Sequence, residues 1–346
     1  MTTLSAPEGR AASAPGARPT PDRIFTALSA YERTAALAAA LELDLFSAVA
    51  AGATTAAALA DRIEASPRGT RILADYLVVD GFLTKRDGEY GLAPDAALFL
   101  DRRSPAYLGS VARFLAAPLL TRRCERLADA VRRGGTVASA DEQMLTPDHP
   151  MWVEFARSMA PLMGLVAARV AEVVGRATRV LDLAAGHGLF GLSVARANPG
   201  ARVVAVDWPN VLAVARENAE RMGLAERLET RPGSAFEVDY GAGYDLALVT
   251  NFLHHFDPET NARLLAKVRA ALGPGGRAAI VEFVPDESRV SPPIPAAFSL
   301  KMLAGTPAGD AYPYGELDRM CRDAGFSRTV LERLTPLPQS VVLAHL

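Results

Sequence analysis

Apolar and polar positions give the chain two textures. Up to about residue 100 the apolar positions recur at near-helical spacing. Ile24, Leu28, Tyr31, Ala35, Leu37 and Leu41 predict one amphipathic helix over 24–41. Thr54-Thr55-Ala56 supplies an N-cap for a helix over 57–63, and Ser66-Pro67 opens another that runs to Val79. The pattern then shortens to strand-like runs over 81–84 and 90–92 around Asp87-Gly88, a dipeptide typical of tight hairpins. Two short helices followed by a hairpin describe a winged helix. Residues 107–120 and 152–174 read as helices, with a polar loop over 134–150 between them.

After Arg176 short apolar runs alternate with amphipathic stretches. Strands are expected over 180–183, 202–206, 228–231, 246–250, 277–283 and 340–345, and helices over 190–197, 209–222, 258–272 and 314–324. Such alternation predicts an α/β, Rossmann-like, doubly wound and mostly parallel sheet. The expected organisation is an unstructured tail over 1–20, a winged-helix domain over 21–105, a helical segment over 106–175 and a sheet domain over 176–346.

Composition narrows the choice of partners. The 346 residues carry 37 Lys and Arg against 39 Asp and Glu, which argues against a protein that coats nucleic acid. The balance also holds locally, because Arg62, Arg68 and Arg71 in the second winged-helix segment are matched by Asp61, Glu64 and Asp75. Packing or dimerisation is therefore the expected role of the winged helix, with the face of helix 24–41 offered to a partner subunit. A ligand-responsive DNA-binding protein is the remote alternative. Two cysteines, Cys124 and Cys321, make neither a disulfide framework nor a zinc site, and no His, Cys and carboxylate spacing suggests another metal. No uncharged run of 18 apolar residues and no signal-peptide core occur, so a cytoplasmic protein without a membrane partner is expected.

The chemistry concentrates at predicted strand ends. The first strand of the sheet domain runs through Asp182 into Ala184-Ala185-Gly186-His187-Gly188 and then directly into a helix. Small residues there let a ligand approach the backbone, in the crevice where doubly wound sheets bind ligands. The next strand ends in Asp207, 19 residues past Gly188, where a carboxylate can accept from both hydroxyls of a ribose. Gly186, Gly188 and Gly191 formally match G-x-G-x-x-G, so a nicotinamide dinucleotide competes at this point. A second cluster, Asn251-Phe252-Leu253-His254-His255-Phe256-Asp257-Pro258, leaves the fourth strand and caps the next helix. Either histidine can be a proton acceptor, and either can be structural.

Together these segments resemble class I S-adenosylmethionine-dependent methyltransferases. Asp182 to Gly188 is similar to their first motif, 233–236 to the stretch beside the adenine, and Leu272-Gly273-Pro274-Gly275-Gly276 to the turn before strand five. The closing 324–326 and 341–344 resemble their terminal antiparallel hairpin. With the winged helix, residues 21–346 are similar to small-molecule O-methyltransferases of the caffeate and acetylserotonin type, which implies S-adenosylmethionine as cofactor, a homodimer and a small aromatic or polyketide-like acceptor. The resemblance implies cofactor contacts from Asp182, Gly186, Gly188, Asp207, Ser234, Ala235, Phe236, Thr250 and Asn251. It implies His254 as general base, oriented by Glu282, and an acceptor pocket walled by Phe155, Met159, Met163, His255, Phe298, Met302 and Tyr312. Three features depart from the pattern: Ala184 and Ala185 replace glycines, His255 replaces an Asp, and Ala311 occupies the slot of a second carboxylate, so that either Asp310 substitutes or Glu282 acts alone. Relatives with this fold also run other reactions, and a carboxylate, N- or C-acceptor or a non-methylating reaction is the alternative.

Overall fold

A computed structural model describes residues 18–139, 142 and 148–346, which fall into two compact units divided after Pro118. Most of the tail expected over 1–20 and part of the loop expected over 134–150 lie outside the described residues.

The first unit holds α1 (Asp22–Leu28), α2 (Ala30–Glu42), α3 (Leu45–Ala50), α4 (Ala56–Arg62), α5 (Pro67–Val79), the hairpin β1 (Leu83–Arg86) and β2 (Glu89–Leu92), α6 (Pro94–Phe99) and α7 (Val111–Leu115). Thr55 Oγ1 accepts from Ala58 N at 3.3 Å and Ser66 Oγ from Gly69 N at 3.0 Å, so both expected N-caps form. Asp87 and Gly88 both take positive φ, 50° and 84°, as a two-residue hairpin loop matched to strand twist requires. Leu45, Phe46, Leu59, Leu77, Leu83 and Tyr90 close the core. The helix expected over 24–41 is instead broken at Ser29, whose hydroxyl bonds back to Phe25 O at 2.8 Å. Ile24, Phe25, Leu28 and Tyr31 are 63–70% exposed. Asp75 pairs with both Arg71 and Lys85, so two of the cations near the hairpin are already engaged.

The division falls one residue into α8 (Pro118–Glu125), and the second unit continues with α9 (Leu127–Arg133) and α10 (Pro150–Val174). The helix expected over 107–120 is interrupted ahead of Pro118, which cannot donate an N–H and disfavours helical backbone in its predecessor. Then come β3 (Arg179–Leu183), α11 (Leu189–Ala197), β4 (Arg202–Asp207), α12 (Pro209–Arg221), β5 (Leu228–Pro232), β6 (Tyr244–Thr250), α13 (Pro258–Ala271), β7 (Leu272–Glu282), α14 (Pro293–Gly305), α15 (Tyr314–Asp323), β8 (Arg328–Arg333) and β9 (Ser340–His345). The seven strands order as β5-β4-β3-β6-β7-β9-β8; the first five are parallel, and β9 runs antiparallel to both β7 and β8. Runs such as Val203–Val206 and Leu246–Val249 are buried because helices cover both faces of a parallel sheet. Consecutive connections leave β3 in opposite directions, towards β4 and β6, and the crevice opens between their carboxyl ends. Strand β8 was not expected: in Arg-Thr-Val-Leu-Glu-Arg four of the six residues are polar, which an edge strand of the sheet allows.

Candidate active site

Four strands deliver their last residues to one edge of the sheet. Beyond β3 the chain turns through Ala184, Gly186 and Gly188, all at positive φ (48°, 57° and 73°). A Cβ at Gly188 would lie 2.9 Å from Ala215 Cβ of α12, and one at Gly191 would lie 2.7 Å from Val203 and 2.8 Å from Asp182 Oδ2. Those two glycines allow helices to pack on the sheet. Gly186 differs, because its Cβ would face open space with only Ala184 O near, at 3.9 Å. His187 turns inward, where it accepts from Leu189 N through Nδ1, stacks on Phe190 and is pushed down to about 4 by burial.

Two carboxylates line this loop. Asp207 ends β4 and accepts from Gly186 N at 2.8 Å and Trp208 N at 2.7 Å, one bond to each oxygen; burial pushes it up to about 6. Asp182 is fully buried, accepts from Gly191 N at 3.0 Å through Oδ2, and leaves Oδ1 without a partner. Burial, with the Asp207 charge added, raises its pKa to about 8. Gly233 N donates to Asp207 O at 2.9 Å, which brings Ser234 and Ala235 beside the same strand end. Phe236 packs edge-on against Phe256 at 5.0 Å. Thr250 is buried at the end of β6, and Asn251 (φ 51°) holds a buried Oδ1 that has no partner. Open space at Gly186, spare acceptor capacity at Asp207 and orphaned oxygens on Asp182 and Asn251 fit a ligand rich in hydroxyl and ammonium donors, as S-adenosylmethionine is.

The other half of the site is built on Glu282, the last residue of β7. Its Oε1 accepts from Phe252 N and Leu253 N, both at 2.8 Å, and from His254 N at 3.4 Å; its Oε2 lies 2.6 Å from His254 Nδ1. One buried carboxylate thus holds the short 3-10 turn Leu253–His255 and orients the ring it carries. Asn261 braces the turn from behind, donating to Leu253 O at 2.9 Å and Phe256 O at 3.2 Å, and Tyr312 OH donates to Phe256 O. Asp257 caps α13 through Thr260 N at 2.8 Å. A side chain at Gly309 would collide with the His254 carbonyl, so glycine is required for this close approach.

Around the imidazoles stands an aromatic wall. Phe298 meets His254 edge-on at 4.9 Å and stacks on Phe283 at 4.3 Å, with Met302 buried one turn further along α14. His255 lies 4.3 Å from the His254 ring and 5.7 Å from Trp152, which in turn meets Phe155 at 5.9 Å. Burial, followed by the charges of His254 and Arg123, holds His255 well below the ordinary imidazole range.

Several placements differ from expectation. Asp310 does not orient His254: its carboxylate pairs with Arg289 at 2.8 Å and accepts from Ala311 N, and Arg289 also clamps Glu316. Met163 is core, 6% exposed and clustered with Phe190 and Leu192; Met159 packs against that cluster. Asn261 and Gly309 were not singled out. Asn261 had a signal, because it is the polar member of the buried stripe Asn261, Leu264, Leu265 and Val268 on α13. Gly309 had none, since its neighbours are distant in sequence.

The O-methyltransferase domain family matches residues 125–327, and the O-methyltransferase dimerisation domain family matches residues 25–102. The chain is 31% identical over 312 residues to the 3-hydroxy-5-methyl-1-naphthoate 3-O-methyltransferase of Streptomyces sahachiroi, covering 86% of this chain and 88% of that one. It is 30% identical over 315 residues to the tetracenomycin polyketide synthesis 8-O-methyl transferase of Streptomyces glaucescens, covering 89% and 91% respectively. A crystal structure from Nostoc punctiforme, described as a candidate O-methyltransferase, superposes with a TM-score of 0.92 at 45% identity over 95% of this chain and all of that one.

Proposed function

This chain belongs to the O-methyltransferase family, and on that premise we propose that it methylates a hydroxyl group of a small aromatic or polyketide-like acceptor, with S-adenosylmethionine as donor and His254 as general base. The observation that carries the reading is the buried His254 Nδ1 to Glu282 Oε2 contact of 2.6 Å. With Nδ1–H donating to the carboxylate, Nε2 keeps its lone pair and can take the acceptor's proton. His255 lacks a carboxylate partner among the described residues and is assigned to the pocket wall.

The cofactor supplies a methyl group on a positively charged sulfur, already activated for displacement. The chain's work is alignment and proton removal. Asp207 accepts from the ribose hydroxyls, Gly186 admits the ligand to the backbone, and Ser234, Ala235 and Phe236 border the adenine. Phe298 and His255 flank the base and keep water from it. As the acceptor oxygen forms its new bond, its proton passes to His254 Nε2, and Glu282 stabilises the imidazolium. Glu282 acts without a second acid, because Asp310 belongs to the Arg289 clamp. The dimerisation match and the exposed row Ile24, Phe25, Leu28 and Tyr31 support a homodimer formed through the first unit.

The deciding experiment pairs calorimetry with S-adenosylhomocysteine and turnover of an accepted phenol by His254→Ala. The product should bind the variant, while kcat falls roughly 10²–10⁴-fold, the range of general-base catalysis. Full turnover by His254→Ala would remove the base assignment and favour a reaction of another class on the same fold.

A further inference from the structure

Outside the proton-transfer machinery, one cation reaches the turn that borders the adenine. Lys267 stands in the second half of α13, and its partly buried ammonium donates to two backbone carbonyls, Val238 O at 2.8 Å and Ala235 O at 3.2 Å. The same ammonium lies 4.3 Å from the centre of the Tyr240 ring, and Tyr240 OH donates to the same Ala235 carbonyl. Burial lowers the Lys267 pKa, against the charges of Asp239 and Glu237. Within the turn, Glu237 N and Val238 N donate to Ser234 O at 3.0 and 2.9 Å, and Phe236 N donates to Ser234 Oγ at 3.2 Å. The inner bonds are thus local to the turn, and the carbonyls of Ala235 and Val238 go to the helix. That helix also holds the general-base turn. Six residues before Lys267, Asn261 donates to Leu253 O and Phe256 O, and Phe236 of the adenine turn meets Phe256 edge-on at 5.0 Å.

A binding turn that is fixed before its ligand arrives saves the cost of ordering it on binding. A partly desolvated ammonium shared by two carbonyls fixes such a turn firmly, because charge-assisted hydrogen bonds are stronger than neutral ones. We propose that Lys267 is a positioning residue of the cofactor site: it ties the adenine turn 233–238 to α13 and so sets the affinity for S-adenosylmethionine without touching it. The inference rests on the methyltransferase reading and adds a residue to its cofactor site. Through Asn261 and Lys267, one helix holds the turn that carries the base and the turn that borders the adenine.

The test is Lys267→Met, which keeps the aliphatic stem and removes the donors. It is read by calorimetry with S-adenosylhomocysteine and with methylthioadenosine, and by turnover at varied S-adenosylmethionine. Both ligands carry the adenine, so both should weaken by the same factor of about 10, the scale of one charge-assisted hydrogen bond. KM for S-adenosylmethionine should rise about 10-fold as well, while kcat at saturation stays within about twofold of the wild type. Lys267→Arg, whose guanidinium can also donate to two carbonyls, should bring affinity back to within about threefold. A residue that serves the fold alone would lower the melting temperature and leave Kd and KM unchanged, and that result would overturn the assignment. So would a loss confined to S-adenosylhomocysteine, or a fall in kcat without a rise in KM. If Lys267→Met does not fold, the milder Lys267→Gln is read against the same criteria. Failure of the wild type to bind S-adenosylhomocysteine would instead overturn the underlying methyltransferase reading, so the two failures are distinct.

Discussion

The two ends of the crevice treat carboxylates in opposite ways. At the β3–β4 end, Asp182 leaves one oxygen unsatisfied and Asp207 carries one backbone N–H on each oxygen, with burial raising both pKa values, to about 8 and about 6. At the β7 end, Glu282 accepts from backbone N–H groups and an imidazole until its oxygens are fully used. A carboxylate left short of donors is prepared for a ligand that brings them. One saturated by the protein holds a catalytic group in place. Burial costs both kinds of group desolvation, and the difference lies in who supplies the hydrogen bonds.

Substitution at the saturated end should have the largest effect. Glu282→Ala removes the ring's partner and releases the backbone donors of the 252–254 turn, so kcat should fall roughly 10²–10³-fold and stability by about 2–4 kcal/mol, read by turnover and by chemical denaturation. Glu282→Gln keeps the shape and some acceptor capacity, and should lose rate while retaining most of the stability. Equal losses in the two variants would show that the carboxylate only supports the turn.

At the open end the effect should be on binding. Asp207→Ala should weaken S-adenosylhomocysteine about 10- to 100-fold by calorimetry with little change in melting temperature. The same group sets a pH dependence. With its pKa raised to about 6, Asp207 protonates as the pH falls through that value, and wild-type affinity should drop by up to about tenfold per unit below it, a slope that Asp207→Asn abolishes. The sign for the ligand-free fold is reversed. A carboxyl held above its ordinary 3.8 favours the folded state increasingly as pH falls from 6 towards 3.8. The smallest effect concerns Ala184, whose φ of 48° is strained for a residue with a Cβ. Ala184→Gly should stabilise the protein by about 1 kcal/mol in thermal unfolding.

Legibility followed the range of each interaction. The N-caps at Thr55, Ser66 and Asp257, the Asp87-Gly88 hairpin and the buried parallel strands are local patterns, and each formed where the pattern placed it. Strand β8 was hidden because an edge strand need not be apolar. Within the site, the small-residue loop and Asp207 were legible through their positions at successive strand ends, whereas the His254–Glu282 pair was legible only through the resemblance to a known family. The exclusion of Asp310 depended on Arg289, which lies 21 residues away in sequence and claims its carboxylate. Met163 was misplaced because helical spacing shows that a face is buried without showing against what.

The sequence by itself determined most of the alternation of strands and helices, the ligand crevice at the strand ends and the residue types available there, because strand and helix periods and cap chemistry act over a few neighbours. Only the tertiary structure decided which acid meets which histidine, which carboxylate oxygens stay free, and that Gly309 must be bare for the chain to pass the His254 carbonyl. Those outcomes depend on groups from distant segments competing for the same few ångströms, and the winner is set by packing.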